Sequence, residues 1–274
     1  MRQSARSALL LSLLVVLAGC TAIGLDAGSG TPDRTATPEW PEPLPPGMTT
    51  EVVANPLDLA RAHTAVLTGQ SFTYRETVVV ETTDGIQLGT VETVRRVAPD
   101  GAFVHRMRVE GVVPTVVTQL RAVDAYSNGS RVVIRFRRAE ENTTLVTSAA
   151  ESPMIANDVI GKGPIYSVLS STEPTVAGPL RRGGTTYLHV RGDGGATRFG
   201  FVEATNVSFE ALVAPSGLVH RYAVSYRANG TSYTGWEGRI VRTVTFDEVG
   251  STTVERPDWV AEALPNATAV PTGR

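Results

Sequence analysis

Alternation of apolar and polar residues, interrupted by turn signals at short intervals, constrains the fold of this chain most. The alternation begins at Phe72 and is clearest in residues 131–137, where apolar side chains alternate with arginines. A period of two places the apolar side chains on one face of a strand and the arginines on the other. Turn signals at 83–85 (Thr-Asp-Gly) and 99–101 (Pro-Asp-Gly) join successive strands as hairpins. The pattern therefore predicts an antiparallel sheet with one buried face.

The same pattern continues through most of the chain. We predict strands at 72–81, 86–97, 102–110, 131–137, 185–191, 197–203, 208–213, 218–227 and 232–246. Further turns are predicted at 127–129, 215–217 and 228–230, each of which ends in glycine.

Three segments have helical patterns instead. Residues 55–69 begin with an Asn cap and a Pro and end at a Gly, and residues 151–171 have apolar residues at helical spacing. A short terminal helix is predicted within 256–265, with Trp259 docked on the sheet. The predicted fold class is α+β and rich in β: one antiparallel sheet, with an N-terminal helix and a helical insertion packed on it.

The N-terminus has the layout of a secretory signal. Arg2 and Arg6 precede an apolar stretch at 8–18, which is too short to span a bilayer. The following residues, Leu-Ala-Gly-Cys at 17–20, resemble the lipobox of lipoprotein signal peptides. The resemblance implies cleavage between Gly19 and Cys20 and attachment of lipid to the cysteine. We therefore expect the outer face of a cytoplasmic membrane as the location, with the domain exposed to the exterior.

Composition then divides the rest of the chain. Residues 20–54 carry the predicted lipidated cysteine and are rich in Thr, Pro and Gly, which predicts a disordered tether. Residues 55–265 are predicted to form a single β-rich domain, and the small, polar tail at 266–274 is predicted to be disordered.

The charge and the scarcity of certain residues argue against several function classes. A net charge of -2 gives no sign of a nucleic-acid partner, and the single cysteine excludes disulfides and cysteine-rich metal sites. The four histidines, His63, His105, His189 and His220, show no metal-ligand spacing, although His105 and His220 alternate with apolar residues and are expected to point into the core. No nucleophile motif or phosphate loop occurs, and Asp100, Asp193 and Asp247 show no pairing. We therefore predict no enzyme activity, no cofactor and no metal.

Glycosylation is predicted from an excess of acceptor triplets. Five of the seven asparagines lie in the pattern N-x-S/T: Asn128, Asn142, Asn206, Asn229 and Asn266. For Asn128 and Asn229 an alternative stays open, because Asn-Gly is also the preferred pair in a tight hairpin turn.

Two resemblances extend over the folded part. The lipobox, the tether ending at 45–47 (Pro-Pro-Gly), the helix leading into 69–74 and the terminal Pro-Asp-Trp at 257–259 together resemble lipoproteins of haloarchaea. The order of helix, strands, helical insertion and strands is similar to the LolA and LppX type of lipoprotein. That similarity implies a curved sheet, an open half-barrel, whose concave side is covered by helices and holds acyl chains.

Three hypotheses follow for function. The first is a carrier of a lipid or another hydrophobic ligand, whose cavity would be lined by Phe103, Met107, Phe199, Phe201, Tyr222 and Tyr226. The same residues would also fill an ordinary core. The second is a structural or interaction protein of the cell envelope that binds no ligand. The third is a hydrolase with dispersed catalytic residues, which would require His105, His189 or His220 to meet a carboxylate in a cleft. The sequence identifies neither the ligand nor a protein partner.

Overall fold

The computed structural model describes residues 39–114, 116, 119–149, 160–199, 202–231, 236–263 and 268–269. The helices within these residues are α1 (Pro56–Leu67), α2 (Lys162–Ser171) and α3 (Trp259–Ala263). The strands are β1 (Phe72–Glu81), β2 (Gln87–Val97), β3 (Phe103–Gly111), β4 (Leu120–Ser127), β5 (Arg131–Arg138), β6 (Asn142–Ser148), β7 (Thr175–Arg182), β8 (Thr185–Gly194), β9 (Thr197–Phe199), β10 (Val202–Val213), β11 (Val219–Thr231), β12 (Glu237–Asp247) and β13 (Thr268–Ala269).

All of these strands belong to one sheet, in the order β13-β6-β5-β4-β3-β2-β1-β12-β11-β10-β8-β7, with β9 paired to β10. The neighbours are antiparallel except for β13, which runs parallel to β6. Two meanders build the sheet, one from β1 to β6 and one from β7 to β12, and they meet where β1 pairs with β12. The pairing of the described strands does not close into a barrel, so the predicted open antiparallel sheet is confirmed.

The two faces of the sheet differ in burial. We call the face that carries Phe72 and Val80 of β1 the inner face, because α1 and α2 pack on it. Leu59 of α1 and Leu169 of α2 join these strand residues in the main apolar cluster. Each such side chain contributes about 1.5–3 kcal/mol to stability when it is fully buried. The N-terminal helix and the helix within the predicted insertion therefore pack on the sheet as expected.

Helix α1 is fixed at its start and near its middle. The side-chain oxygen of Asn55 accepts hydrogen bonds from the amides of Leu57 and Asp58, at 3.1 and 3.3 Å, which confirms the predicted cap. The fully buried His63 accepts a hydrogen bond at Nδ1 from the Val219 amide, at 3.1 Å. This histidine therefore links the helix to the start of β11.

Structured residues occur before the predicted domain boundary at residue 55. Met48 and Val53 are buried, and the Val53 amide donates to the Pro174 carbonyl at 3.0 Å. The segment lies beside the edge strand β7, because the Val176 amide donates to the Glu51 carbonyl at 2.7 Å. The prediction relied on the Pro- and Gly-rich composition. It therefore missed two apolar side chains and a backbone pairing that stabilise this segment.

The C-terminal boundary also differs from the prediction. The tail was predicted to be disordered from residue 266, but Thr268–Ala269 form β13 and pair with β6. Short strands of this kind have no sequence pattern of their own, since their stability comes from the neighbouring strand. Cys20, Gly19 and the rest of the chain up to residue 38 lie outside the described residues.

Candidate functional site

A band of polar side chains crosses the inner face among apolar neighbours. Strand register places Tyr74 of β1 opposite Arg95 of β2, and Arg95 opposite His105 of β3. Glu76 follows on β1, and Arg242 lies on β12 opposite Val78. We call these five residues (Tyr74, Glu76, Arg95, His105 and Arg242) the inner polar band.

Glu76 and Arg242 form an ion pair at the centre of the band. The Arg242 Nε lies 2.5 Å from the Glu76 Oε1, and Arg242 also hydrogen-bonds to Tyr74. Burial by itself would lower the pKa of Arg242, but Tyr222, Glu76 and Tyr74 raise it overall. The Arg242 side chain is nevertheless 33% exposed and that of Glu76 is 16% exposed. Neither side chain is therefore completely enclosed by its neighbours.

Arg95 is a buried cation with no carboxylate partner. It is 6% exposed, its Nε donates to His105 Nδ1 at 3.4 Å, and its guanidinium lies 4.9 Å from the centre of the Phe103 ring. Burial lowers the pKa of Arg95 to about 10, so the group stays charged at neutral pH. No ion pair joins it to any carboxylate among the described residues. A buried charge without a counter-ion is strongly unfavourable.

His105 cannot supply a negative charge, but it can orient Arg95. Burial, with a contribution from Arg95, lowers the pKa of His105 to about 3. The imidazole is therefore neutral, and its Nδ1 is an acceptor for the guanidinium.

The residues predicted to line a cavity lie on both sides of the polar band. Phe103 belongs to a smaller apolar cluster on β3, β4 and β5, and Met107 packs against both clusters. Tyr222 and Tyr226 are buried in the main cluster, where the Phe199 ring lies 4.9 Å from that of Tyr226. Phe201 lies outside the described residues. The structure thus places these residues on the inner face without gathering them around a single point.

The sequence contained a signal for the polar band that the prediction did not use. Glu76 falls in the apolar phase of β1, between Tyr74 and Val78. Arg242 likewise falls in the apolar phase of β12, between Ile240 and Val244. A charged residue at an inward-facing position is rare unless it is paired or functional, so the alternation itself marked both residues.

Comparison with known proteins gives structural likeness only. No protein-family model matches the chain, and no curated protein matches its sequence. Among solved structures, it is similar to LprF from Mycobacterium bovis, with a TM-score of 0.40 and 12% identity over 74% of this chain and 96% of that one. It is also similar to lipoprotein LppX from Mycobacterium tuberculosis, with a TM-score of 0.37 and 12% identity over 73% and 97% of the two chains. At this level of similarity, function has to be inferred from the chain's own side chains.

The histidines do not gather into one site within the described residues, although His220 approaches a carboxylate, with its Nε2 4.0 Å from Asp247 Oδ1. His105 lies on the inner face, whereas His189 lies on β8 and accepts a hydrogen bond from Arg191 at 3.3 Å. The prediction that His220 points into the core is wrong. A β-bulge precedes Arg221 in β11, so His220 turns outward and stacks on Tyr187 at 5.2 Å. No group of three or more His, Cys, Asp or Glu residues in this part of the chain could hold a metal ion.

Among the clefts that the described residues form, the two larger ones have mainly polar linings. One of about 400 Å³ is lined by Arg96, Val104, Arg106, Thr253, Glu255, Arg256, Pro257 and Asp258. Another of about 470 Å³ lies between the end of α2 and the end of β8. A third, of about 230 Å³, includes Tyr226.

No helix in the described ranges is long and apolar enough to cross a bilayer.

Four of the predicted glycosylation sites are exposed: Asn128, Asn142, Asn206 and Asn229. Asn128 also has the predicted structural role, because its side-chain oxygen accepts from the Arg131 amide at 2.9 Å within the hairpin turn. Asn229 donates to the Thr205 hydroxyl at 2.8 Å. Asn266 lies outside the described residues, and modification of all five sites stays a prediction.

Proposed function

We propose that this protein is a membrane-anchored, extracytoplasmic lipoprotein that binds or carries an amphipathic lipid on its inner face. The observation that carries the proposal is the inner polar band, which lies between two apolar clusters. The apolar clusters would contact the acyl chain, and the cation of Arg95 would pair with an anionic head. No catalytic residue is assigned.

The physical argument concerns what a closed core would contain. An ordinary core excludes charges, because the free energy of burying an unpaired guanidinium is unfavourable by roughly several kcal/mol. Here the inner face keeps an ion pair with exposed surface and a second cation that lacks a carboxylate. An anionic ligand would neutralise Arg95 and occupy the space beside Arg242. A core without a ligand offers no comparable reason for either feature.

The anchor is inferred from the sequence. The lipobox at 17–20 follows a signal-like stretch, which supports lipidation of Cys20. Stable attachment requires two acyl chains or an equivalent second signal.

Two adjacent valines provide a matched test of the inner face. Val78 and Val79 are both half-buried on β1, but Val78 points inward beside Arg242 and Val79 points outward. We expect the full chain to bind dansylundecanoic acid, a fluorescent fatty acid. Val78→Trp should weaken binding at least about tenfold, because the indole fills space at a steric penalty of about 1–3 kcal/mol. Val79→Trp should bind like the wild type.

The head group is tested with Arg95 and its neighbour. Arg95→Met should weaken binding of dansylundecanoic acid by about tenfold or more but leave binding of its methyl ester unchanged. Arg96→Met removes an exposed charge from the opposite face and should change neither. Equal effects of Arg95→Met on acid and ester would reject the anionic head. A wild-type protein that binds neither probe would reject the carrier and favour an envelope interaction protein without a ligand.

A further inference from the structure

Four arginines converge on one carboxylate on the outer face of the sheet. Asp124 of β4 has a side chain that is 4% exposed. Its oxygens lie 2.7 Å from Arg137 Nη2, 3.0 Å from Arg108 Nη2 and 3.2 Å from Arg135 Nη2. The Nε of Arg106 lies 3.9 Å away. We call Arg106, Arg108, Arg135 and Arg137 the arginine surface.

This cluster contains more positive charge than its carboxylate can balance. Two other arginines of the sheet each pair with one acid: Arg239 with Glu81 at 3.3 Å, and Arg191 with Glu210 at 3.2 Å. At Asp124, four guanidinium groups face one carboxylate, and Glu92 lies opposite Arg108 in the strand register, so among the described residues the cluster has an excess of two positive charges. Their mutual repulsion is unfavourable, so structural stabilisation alone does not explain the number of arginines.

The excess charge is held in place and is accessible. Asp124 fixes the near side of each guanidinium, and the Trp259 ring lies 4.6 Å from the guanidinium of Arg135. Arg106 and Arg137 remain 65% and 42% exposed. Guanidinium groups present several N–H donors in a rigid plane, so those not directed at Asp124 are free to contact phosphate oxygens.

We propose that the arginine surface docks the domain on the anionic phospholipid headgroups of a membrane. Arginines near an anionic bilayer bind it electrostatically, and here they lie on β3 and β5, on both sides of the strand β4 that carries Asp124. The partner choice rests on the proposed anchor. A fully extended tether from residue 21 to residue 44 reaches at most about 80 Å, which keeps the domain close to the headgroups.

The cleft that adjoins the arginine surface does not add to its excess of positive charge. Arg96 and Arg256 line it beside Arg106, but Glu255 and Asp258 lie in the same cleft. These acids balance the two additional arginines, so the uncompensated charge is concentrated around Asp124.

Vesicle binding without the anchor tests the proposal. The full chain with Cys20→Ser is sedimented with vesicles of phosphatidylcholine, or of phosphatidylcholine and phosphatidylglycerol in equal parts. We expect binding to the anionic vesicles to exceed binding to the neutral ones, and the difference to shrink between about 50 mM and about 300 mM salt. Arg106→Gln with Arg137→Gln should reduce binding to anionic vesicles on the order of 30-fold. Arg108 and Arg135 still neutralise Asp124 in this variant, so the fold is retained.

A charge-matched control distinguishes the effect of the arginine surface from the effect of the protein's net charge. Arg61→Gln with Arg198→Gln also removes two exposed arginines, one on α1 and one on β9, and should bind like the parent. Equal loss in both double variants, or no preference for anionic vesicles, would overturn the proposal. Retention on immobilised polyglutamate without vesicle binding would overturn it in favour of an acidic protein partner. Since the anchor is absent throughout, these failures are distinct from failure of lipidation or of fatty-acid binding.

Discussion

His105 is kept neutral by its surroundings, and this has a consequence for stability. Burial and Arg95 lower the pKa of His105 to about 3, whereas an exposed histidine has a pKa of about 6.5. Between these values the unfolded chain binds a proton that the folded chain does not. The contribution of His105 is therefore complete above about pH 6.5 and is lost as the pH falls toward 3, by up to about 1.4 kcal/mol per pH unit.

Substitution by glutamine tests this contribution. His105→Gln keeps an acceptor for Arg95 but cannot titrate, so we expect a shallower fall in the free energy of unfolding between about pH 6 and about pH 4. Urea unfolding at several pH values measures it. Some slope should remain from other groups, including His189, whose pKa is also lowered by burial and by Arg191. A variant with the full wild-type slope would contradict the assignment.

At the scale of elements, α2 depends on a single glycine at its start. Gly161 has a φ of 82°, and a Cβ there would lie 3.3 Å from Phe246 Cζ and 3.4 Å from both His63 Nε2 and Ile165 Cδ1. Only glycine satisfies both the left-handed backbone and the close approach of the sheet. The N-terminal turn of α2 is therefore packed against α1 and β12.

A second glycine distinguishes the effect of backbone strain from the effect of crowding by neighbouring atoms. Gly85, in the β1–β2 turn, has a φ of 87°, but a Cβ added there would meet no other atom within 4 Å. Gly85→Ala should lower the free energy of unfolding by about 1–2 kcal/mol through backbone strain alone. Gly161→Ala should lower it by at least about 1 kcal/mol more, because its neighbours must move. Equal losses in thermal or urea unfolding would show that crowding at Gly161 is unimportant.

The elements that the sequence predicted are those with one buried face and a strong turn. The 72–81 strand matches β1, and the turns at 83–85 and 99–101 are hairpins as predicted. Strand β4 was missed because residues 122–125 are all buried, so it has no alternation. Strand β7 contains Gly178 and Pro179, which resemble a break, although an edge strand tolerates proline.

Bulges account for a further difference between prediction and structure. Strand β10 changes register twice between Val202 and Ser208, so one long strand had the pattern of two short ones. The candidate site was missed for another reason. Glu76 and Arg242 are 166 positions apart in the chain, and only the β1–β12 pairing brings them together. The local alternation marks each charge separately, but it does not show that the two residues pair.

At the scale of the whole molecule, the proposed anchor depends on one atom, the sulfur of Cys20. Cys20→Ser should move the protein from the membrane fraction to the soluble fraction when membranes are washed at about 300 mM salt, because lipid attachment requires the thiol and salt screens the arginine surface. Thr21→Ser, a conservative change at the adjoining position, should leave the protein in the membrane fraction. Mass spectrometry of the wild-type N-terminus gives an independent measurement. A native chain that starts at Met1, or one with an unmodified sulfur, would contradict the anchor.

The pairing of β1 with β12, where the two meanders meet, can form only after the C-terminal part of the chain has been made. A polypeptide leaves the ribosome N-terminus first, so β1 is available long before its partner β12 has been synthesised. Until then one side of β1 has unpaired amides and carbonyls, and an exposed strand edge of this kind readily pairs with other chains. Contacts between residues so distant in sequence also form slowly. Newly made chains of this protein therefore need protection from one another until their last long strand arrives.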